Sequence, residues 1–132
     1  MLHNYFMFKK IINSFMNAFR GLRLAYKHDQ SFRMEMWASP IIPIFGYFFW
    51  PLENYEILFL ALSLALIFIT ELINTAFERA LERIHPERHE LIRISKDITA
   101  SAVLIAVIFA GCVFFAIAYR HFFAYLPNSF ML

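Results

Sequence analysis

The sequence predicts an all-α membrane protein: an N-terminal amphipathic surface helix followed by three transmembrane helices, with the N-terminus in the cytoplasm. Composition is the first observation, because 61% of the 132 residues are hydrophobic and 19% are aromatic. A soluble domain of this length rarely carries so much apolar surface. Long uncharged runs and two clusters of basic residues are the other observations. The length allows one domain, residues 1–132, without a separate soluble nucleotide-binding domain.

The first predicted element is the surface helix, over residues 5–28. Its apolar residues recur every three or four positions, which collects them on one helix face. This set comprises Phe8, Ile11, Ile12, Phe15, Phe19, Leu22 and Tyr26. Basic and amide side chains fall largely on the opposite face. Such a helix beside membrane spans is typical of one lying in the bilayer interface, with packing on the bundle as the alternative.

Three apolar segments follow as candidate spans. Residues 36–52 form the first, which is short and interrupted by Pro40 and Pro43. Prolines are tolerated in membrane helices when neighbours satisfy the freed backbone groups, so a break or re-entrant start near Pro40 is expected. Residues 57–84 form the second span, which continues into the cytoplasm, and residues 98–119 form the third. A helix needs about 20 apolar residues to cross the bilayer core.

Orientation follows from the basic residues. Of the 12 lysines and arginines, six lie before residue 34 and five lie in residues 79–96. In membrane proteins the cytoplasmic loops carry the excess of basic residues. The N-terminus and a loop over residues 85–97 are therefore predicted inside, and a C-terminal tail over residues 120–132 outside.

Polar residues on the second span form the main candidate site. At about 100° per residue, Glu71, Asn74, Glu78 and Glu82 share one helix face. Glu71 lies about 21 Å along the helix from Ile57 and Glu78 about 32 Å, while a hydrocarbon core is about 30 Å thick. Glu71 is thus predicted inside the inner leaflet. An ionisable residue there usually marks a function, and an interhelical hydrogen bond or ion pair is the alternative.

The segment before the last span carries complementary chemistry. Pro86 is expected to end the preceding helix at or before His85, which argues against a zinc site formed by His85 and His89. Asp97 is a candidate N-cap of the last span. Lys96 suits a phosphate, although such residues also anchor helices at interfaces. The sequence has no GxxxxGK[ST] loop and no glycine-rich kinase loop.

The block "ELINTAFERALERI", followed by "HEL" and "KDITASAVLIA", resembles the prokaryotic diacylglycerol kinase family of small integral membrane lipid kinases. "FKKIINSFMNAFRGLR" and "SFRMEM" match the surface helix and the first-span entry of that family. The resemblance covers roughly residues 8–120. It implies a homotrimer in the bacterial inner membrane, with active sites between subunits at the cytoplasmic face. The implied reaction transfers the γ-phosphoryl group of MgATP to a lipid hydroxyl, with Mg²⁺ as the metal.

The resemblance also implies roles for individual residues. Glu71 matches the catalytic base, and Glu78 and Asp29 match the metal ligands, with Asp29 standing where the better-studied members carry Glu. The implied ATP-binding residues are Lys10, Asn17, Asp29, Glu78, Glu87, Arg88, His89, Lys96 and Asp97. The implied lipid-substrate residues are Arg23, Ser31, Arg33, Glu35, Glu71 and Asn74.

Two alternatives stand beside a diacylglycerol kinase that produces phosphatidic acid. One is an undecaprenol kinase of the same family, which composition and spacing do not separate from the first. The preference for diacylglycerol comes from the likeness of the "FRMEM" and "HELIRISKDITASAVLIA" stretches to that branch. The other is a small proton-coupled membrane carrier with Glu71 as its site. The carrier is disfavoured because Glu78, Lys96 and Asp97 are all predicted on the cytoplasmic side.

Overall fold

The computed structural model describes residues 2–84 and 89–124, and every regular element in these ranges is an α-helix. The helices are α1 Leu2–His28, α2 Gln30–Ala38, α3 Ile41–Phe48, α4 Asn54–Ile84 and α5 Glu90–Ala124. The all-α prediction is confirmed. Helices α4 and α5 are long and apolar enough to cross a membrane, with mean hydropathies of 2.3 and 2.7 in their most apolar parts.

Helices α4 and α5 form an antiparallel pair, which makes up most of the fold. Small side chains let the two backbones approach closely, since Ala106 and Ala110 of α5 are buried. Further along, Leu60 of α4 and Ile117 of α5 meet Ile42 of α3 in an apolar cluster. The outward faces of both long helices are apolar and exposed, as expected for helices that face lipid.

Helix α1 begins at Leu2, three residues earlier than predicted, and ends at His28 as predicted. Its apolar face is not covered by the rest of the described chain, because Phe8, Phe15 and Phe19 are all more than 60% exposed. Among residues 5–28 of this helix, Ala25 is the buried one. An interfacial helix would bury such a face in lipid.

A one-residue break at Asp29 separates α1 from α2, and both helix ends are capped there. The Oδ1 atom of Asp29 accepts a hydrogen bond of 2.9 Å from the backbone N–H of Phe32, which caps the start of α2. In return, Nη1 of Arg33 donates to the backbone carbonyl oxygens of Tyr26, at 3.3 Å, and Lys27, at 3.0 Å. The positive charge also suits the negative end of the α1 dipole.

The predicted first span, residues 36–52, is not one continuous helix. It is divided between the end of α2 and the eight-residue α3, with the turn at Ser39 and Pro40. Pro40 has no N–H to continue the α2 ladder, and the N–H of Ser39 instead closes α2 on the carbonyl of Glu35 at 2.8 Å. The expected break near Pro40 is therefore present. That α2 and α3 together make a third crossing stays a prediction.

The boundaries of the last two spans also differ from the predicted ones. Helix α4 begins at Asn54 rather than at residue 57. Helix α5 begins at Glu90 and runs to Ala124, so the predicted loop over residues 85–97 is wrong from residue 90 onwards, and the predicted tail begins inside a helix. Residues 85–88 and 125–132 lie outside the described residues.

Asp97 lies inside α5 and is not its N-cap, so that prediction is wrong. His89 does the capping, because its Nδ1 accepts a hydrogen bond of 3.2 Å from the N–H of Leu91. Glu90, Arg93 and Asp97 form an exposed charged cluster in the first turns of α5. Arg93 donates hydrogen bonds to the carboxylates of both Glu90 and Asp97. Charged pairs three and four residues apart support a helix start, which explains why α5 begins earlier than hydropathy alone indicates.

At the opposite end of the pair, a polar cluster ties the start of α4 to the end of α5. The carboxylate of Glu56 is buried and accepts a hydrogen bond of 2.8 Å from the N–H of Glu53. Arg120 lies 3.4 Å from Glu56 and 3.6 Å from Glu53, and it donates to the hydroxyl of Tyr55. This cluster and the ion pair of Glu82 with Lys96 hold the two ends of the α4–α5 pair.

We expect Phe32→Ala to lower the free energy of unfolding by about 3 kcal/mol, since it removes a fully buried aromatic side chain. The Phe32 ring lies 5.8 Å from that of Phe68 and docks α2 on α4. Thermal unfolding in detergent, followed by circular dichroism, measures the change. Trp37→Ala is the matched control on the same helix, because Trp37 is 76% exposed. Equal losses in both variants would contradict the docking role.

Candidate active site

Glu71 is the central residue of the candidate site. The residue is 3% exposed, and its carboxylate forms no hydrogen bond or ion pair with the described residues. It lies on α4 one turn after Phe68, so the α2 segment docked by Phe32 lies beside it. A buried carboxylate without a partner is costly, and such groups are typical of functional sites.

Glu35 of α2 is the second carboxylate of the candidate site, and its side chain is half-buried. Its Oε2 atom is fully buried and has no hydrogen-bond partner in the described residues. The side chain borders a hollow of about 180 Å³ that Ile42, Leu64 and Val107 line with apolar surface. Helix α2 begins after the joint at Asp29 and ends at Ala38, and the packing of Phe32 on Phe68 brings this helix, with Glu35, to α4. The structure thus places Glu35 beside α4, and its role in lipid binding stays a prediction.

Four carboxylates are close enough to repel one another. The negative charges of Glu71 and Asp29 act on Glu35, and those of Asp29 and Glu78 act on Glu71. Like charges held together in a partly buried site call for a cation or a proton. Asp29, Glu35, Glu71 and Glu78 therefore lie near one another, between the start of α2 and the C-terminal half of α4.

The two predicted metal ligands suit a hard cation such as Mg²⁺. Asp29 uses one oxygen, Oδ1, as the cap of α2, which leaves Oδ2 for a metal, and Glu78 makes no hydrogen bond or ion pair with the described residues. In the described ranges no three acidic, histidine or cysteine side chains converge as a metal-binding group. Mg²⁺ commonly uses one or two carboxylates together with substrate phosphates, so the donor set fits a metal that arrives with a nucleotide.

Lys96 is brought to this end of α4 by an ion pair. Its Nζ atom lies 2.7 Å from Oε1 of Glu82, and its positive charge also interacts with the carboxylate of Glu78. The pair lies beyond the apolar parts of α4 and α5. The hydrogen bond from Lys96 lowers the pKa of Glu82, and the same bond raises the pKa of Lys96, so both groups are charged at neutral pH.

Asn74 and Thr75 complete the buried polar surface on α4. The Oδ1 atom of Asn74 and the Oγ1 atom of Thr75 are buried without hydrogen-bond partners in the described residues. Asn74 was predicted as a lipid-substrate residue, whereas sequence reasoning missed Thr75. The signal for Thr75 was its spacing of four from Glu71 and three from Glu78, which puts it on the same face.

Other predicted residues have different surroundings. Arg33 caps the end of α1, His89 caps α5, and Asp97 pairs with Arg93. The described contacts do not join the remaining predicted residues to the carboxylates, and these side chains are exposed: Lys10, Asn17, Arg23 and Ser31. Glu87 and Arg88 lie outside the described residues. The roles of all these residues in ATP or lipid binding stay predictions.

Comparison with known proteins identifies the family of this chain. The family model described as prokaryotic diacylglycerol kinase matches residues 16–118. A diacylglycerol kinase of Haemophilus influenzae is 36% identical over 104 residues, which cover 78% of this chain and 86% of that protein. One of Escherichia coli (strain K12) is 31% identical over 122 residues, covering 92% and 99%. One of Synechocystis sp. is 34% identical over 107 residues, covering 77% and 61%. The chain therefore belongs to the prokaryotic diacylglycerol kinase family and is a lipid kinase.

Proposed function

We propose that this protein transfers the γ-phosphoryl group of MgATP to the hydroxyl of diacylglycerol, which gives phosphatidic acid. The observation that carries the proposal is the placement of two carboxylates on one face of α4. Glu71 is buried without a partner, and Glu78 lies two turns further towards the charged end of the helix. A lipid hydroxyl from the membrane and a phosphate from water can meet between them.

In the proposed mechanism, Glu71 accepts the proton of the lipid hydroxyl as that oxygen attacks the γ-phosphorus atom. Glu71 suits this role because its carboxylate has no competing hydrogen-bond donor among the described residues. Asp29 and Glu78 would hold Mg²⁺, which neutralises charge on the phosphate oxygens when it is bound. Lys96 offsets further phosphate charge after it leaves Glu82. Positioning and electrostatic stabilisation account for most of the rate in such transfers.

Diacylglycerol is the acceptor we favour because the curated relatives are named diacylglycerol kinase. Undecaprenol is the alternative acceptor, since the apolar surroundings of Glu35 would accept either lipid tail. On α4 itself, the charged residues Glu78 and Glu82 follow Glu71 towards the end that is predicted to be cytoplasmic. Residues 57–70, which come before Glu71, carry no charge. A carrier would need a pathway from Glu71 to both sides of the membrane, so this asymmetry favours a kinase.

We further propose a homotrimer in the bacterial inner membrane, with the N-terminus and the active sites on the cytoplasmic side. The distribution of lysine and arginine supports this orientation. The exposed apolar faces of α4 and α5 leave room for other subunits as well as for lipid. Helix α1 would lie in the interface, with its exposed phenylalanine residues in the lipid.

The first test measures phosphate transfer from radiolabelled ATP by the purified protein in mixed micelles. With dioleoylglycerol and Mg²⁺, we expect label in phosphatidic acid. Glu71→Gln should lower kcat by about 10²- to 10⁴-fold, the range for a general base. Label in undecaprenyl phosphate instead would change the acceptor, and no transfer by the folded protein to either lipid would exclude the proposed function.

We expect Asp29→Asn to raise the Mg²⁺ concentration for half-maximal activity by at least about tenfold, the scale of lost metal affinity. Asparagine caps a helix as well as aspartate does, so the start of α2 should be kept while a metal ligand loses its charge. Asp29→Glu is the control that keeps the charge. A normal Mg²⁺ requirement in Asp29→Asn would remove Asp29 from the metal site.

Lys96→Gln should raise the KM for ATP by about tenfold, since a hydrogen bond to a charged group contributes about 1.5–3 kcal/mol. Glu82→Gln is the matched variant, because it breaks the same ion pair and leaves Lys96 in place. We expect it to keep or lower the KM for ATP. An equal rise in both variants would mean that the ion pair itself, and not a phosphate contact, is what ATP binding requires.

A further inference from the structure

Thr75 has a buried helical hydroxyl without a hydrogen-bond partner in the described residues. Seven serine and threonine hydroxyls donate to a backbone carbonyl three or four residues earlier: Ser14, Ser39, Ser63, Thr70, Ser95, Thr99 and Ser101. Thr75 makes no such bond, although the residue is only 5% exposed. Ser31, which also makes none, is exposed in the first turn of α2. A buried hydroxyl without a partner is costly, so the burial of the Thr75 hydroxyl requires an explanation.

The position of Thr75 between two site carboxylates suggests this explanation. It lies between Glu71 and Glu78 on the same face of α4, within about 60° of each. Along the helix it is about 6 Å beyond Glu71 and about 4.5 Å before Glu78. In the proposed function the lipid hydroxyl meets Glu71 and the phosphates lie near Glu78. The transferred group therefore passes the side chain of Thr75.

The chemistry of the surrounding atoms narrows the ligand further. Three buried atoms of this site have no partner in the described residues: Oε2 of Glu35, Oδ1 of Asn74 and Oγ1 of Thr75. Of these atoms only the threonine hydroxyl always carries a proton to donate, because the Asn74 amide oxygen only accepts and the Glu35 carboxyl oxygen donates only when it is protonated. A phosphoryl group offers only acceptor oxygens, and its charge is spread over three of them during transfer. A preorganised hydrogen-bond donor in a buried site can stabilise that charge.

We propose that the hydroxyl of Thr75 donates a hydrogen bond to the phosphoryl group during its transfer, which makes Thr75 a further catalytic residue. This inference rests on the proposed function. In the step, the bond from the γ-phosphorus to the bridging oxygen of ATP breaks, and a bond to the lipid oxygen forms. The proton of the lipid hydroxyl goes to Glu71, and ADP leaves. Thr75 keeps its own proton throughout.

The test compares Thr75→Val, which removes the hydroxyl at nearly constant shape, with Thr75→Ser, which keeps it. We expect Thr75→Val to lower kcat by about 100-fold, the lower end for loss of one preorganised donor, and to leave the KM for ATP and for dioleoylglycerol within about threefold. Thr75→Ser should stay within about threefold of the wild type in kcat. Thr70→Val is the control, because the Thr70 hydroxyl already bonds to the carbonyls of Leu66 and Ile67.

Other results overturn the inference in recognisable ways. Equal losses in Thr75→Val and Thr75→Ser would show a packing role. A Thr75→Val defect seen with dioleoylglycerol but not with its dialkyl ether would place the hydroxyl on a lipid ester carbonyl. A changed oligomer size on gel filtration would place it at a subunit contact. Unchanged kinetics in Thr75→Val, with an active wild type, would exclude this inference alone, whereas an inactive wild type would exclude the proposed function as well.

Discussion

Burial of the Glu71 carboxylate is the constraint around which α2 and the C-terminal half of α4 are arranged. A charge in an apolar helix is costly, and the described neighbours do not relieve that cost with a donor. Instead, Asp29, Glu35 and Glu78 add further negative charge around it. Such an arrangement is stable only if the rest of the fold holds it in place. The proposed kinase reaction would use this arrangement, because the carboxylates would hold Mg²⁺ and accept a proton from the lipid hydroxyl.

The break in the first apolar segment is what makes this convergence possible. If residues 36–52 continued α2 as one helix, no separate short helix would lie beside the C-terminal half of α4. The capped joint at Asp29 and the turn at Pro40 bound α2, which is therefore a separate helix of nine residues. Phe32 docks that helix on Phe68 and brings Glu35 towards Glu71. Asp29 belongs both to the joint between α1 and α2 and to the proposed metal site. One of its oxygens caps α2, and the other has no hydrogen-bond partner in the described chain.

Much of the site could be predicted because helix geometry links sequence spacing to direction. The stripe of Glu71, Asn74 and Glu78 follows from about 100° per residue, and the structure has all three on α4. The capping roles of Arg33 and His89 could not be predicted, because each depends on a hydrogen bond set by where a chain break falls. Asp97 was misread for the same reason: hydropathy marks where a helix becomes apolar, whereas charged pairs decide where it begins.

By itself, the sequence determined the helical class, the two long apolar helices, the polar stripe on α4 and the family, since each depends on local periodicity or on a run of residues. Only the tertiary structure decided which polar groups are buried without partners. Thr70 and Thr75 lie five residues apart on one helix, yet one hydroxyl bonds to the backbone and the other does not. Partners that come from a different helix are not encoded in local spacing. Their identity depends on how α2 packs against α4, which is a property of the whole chain.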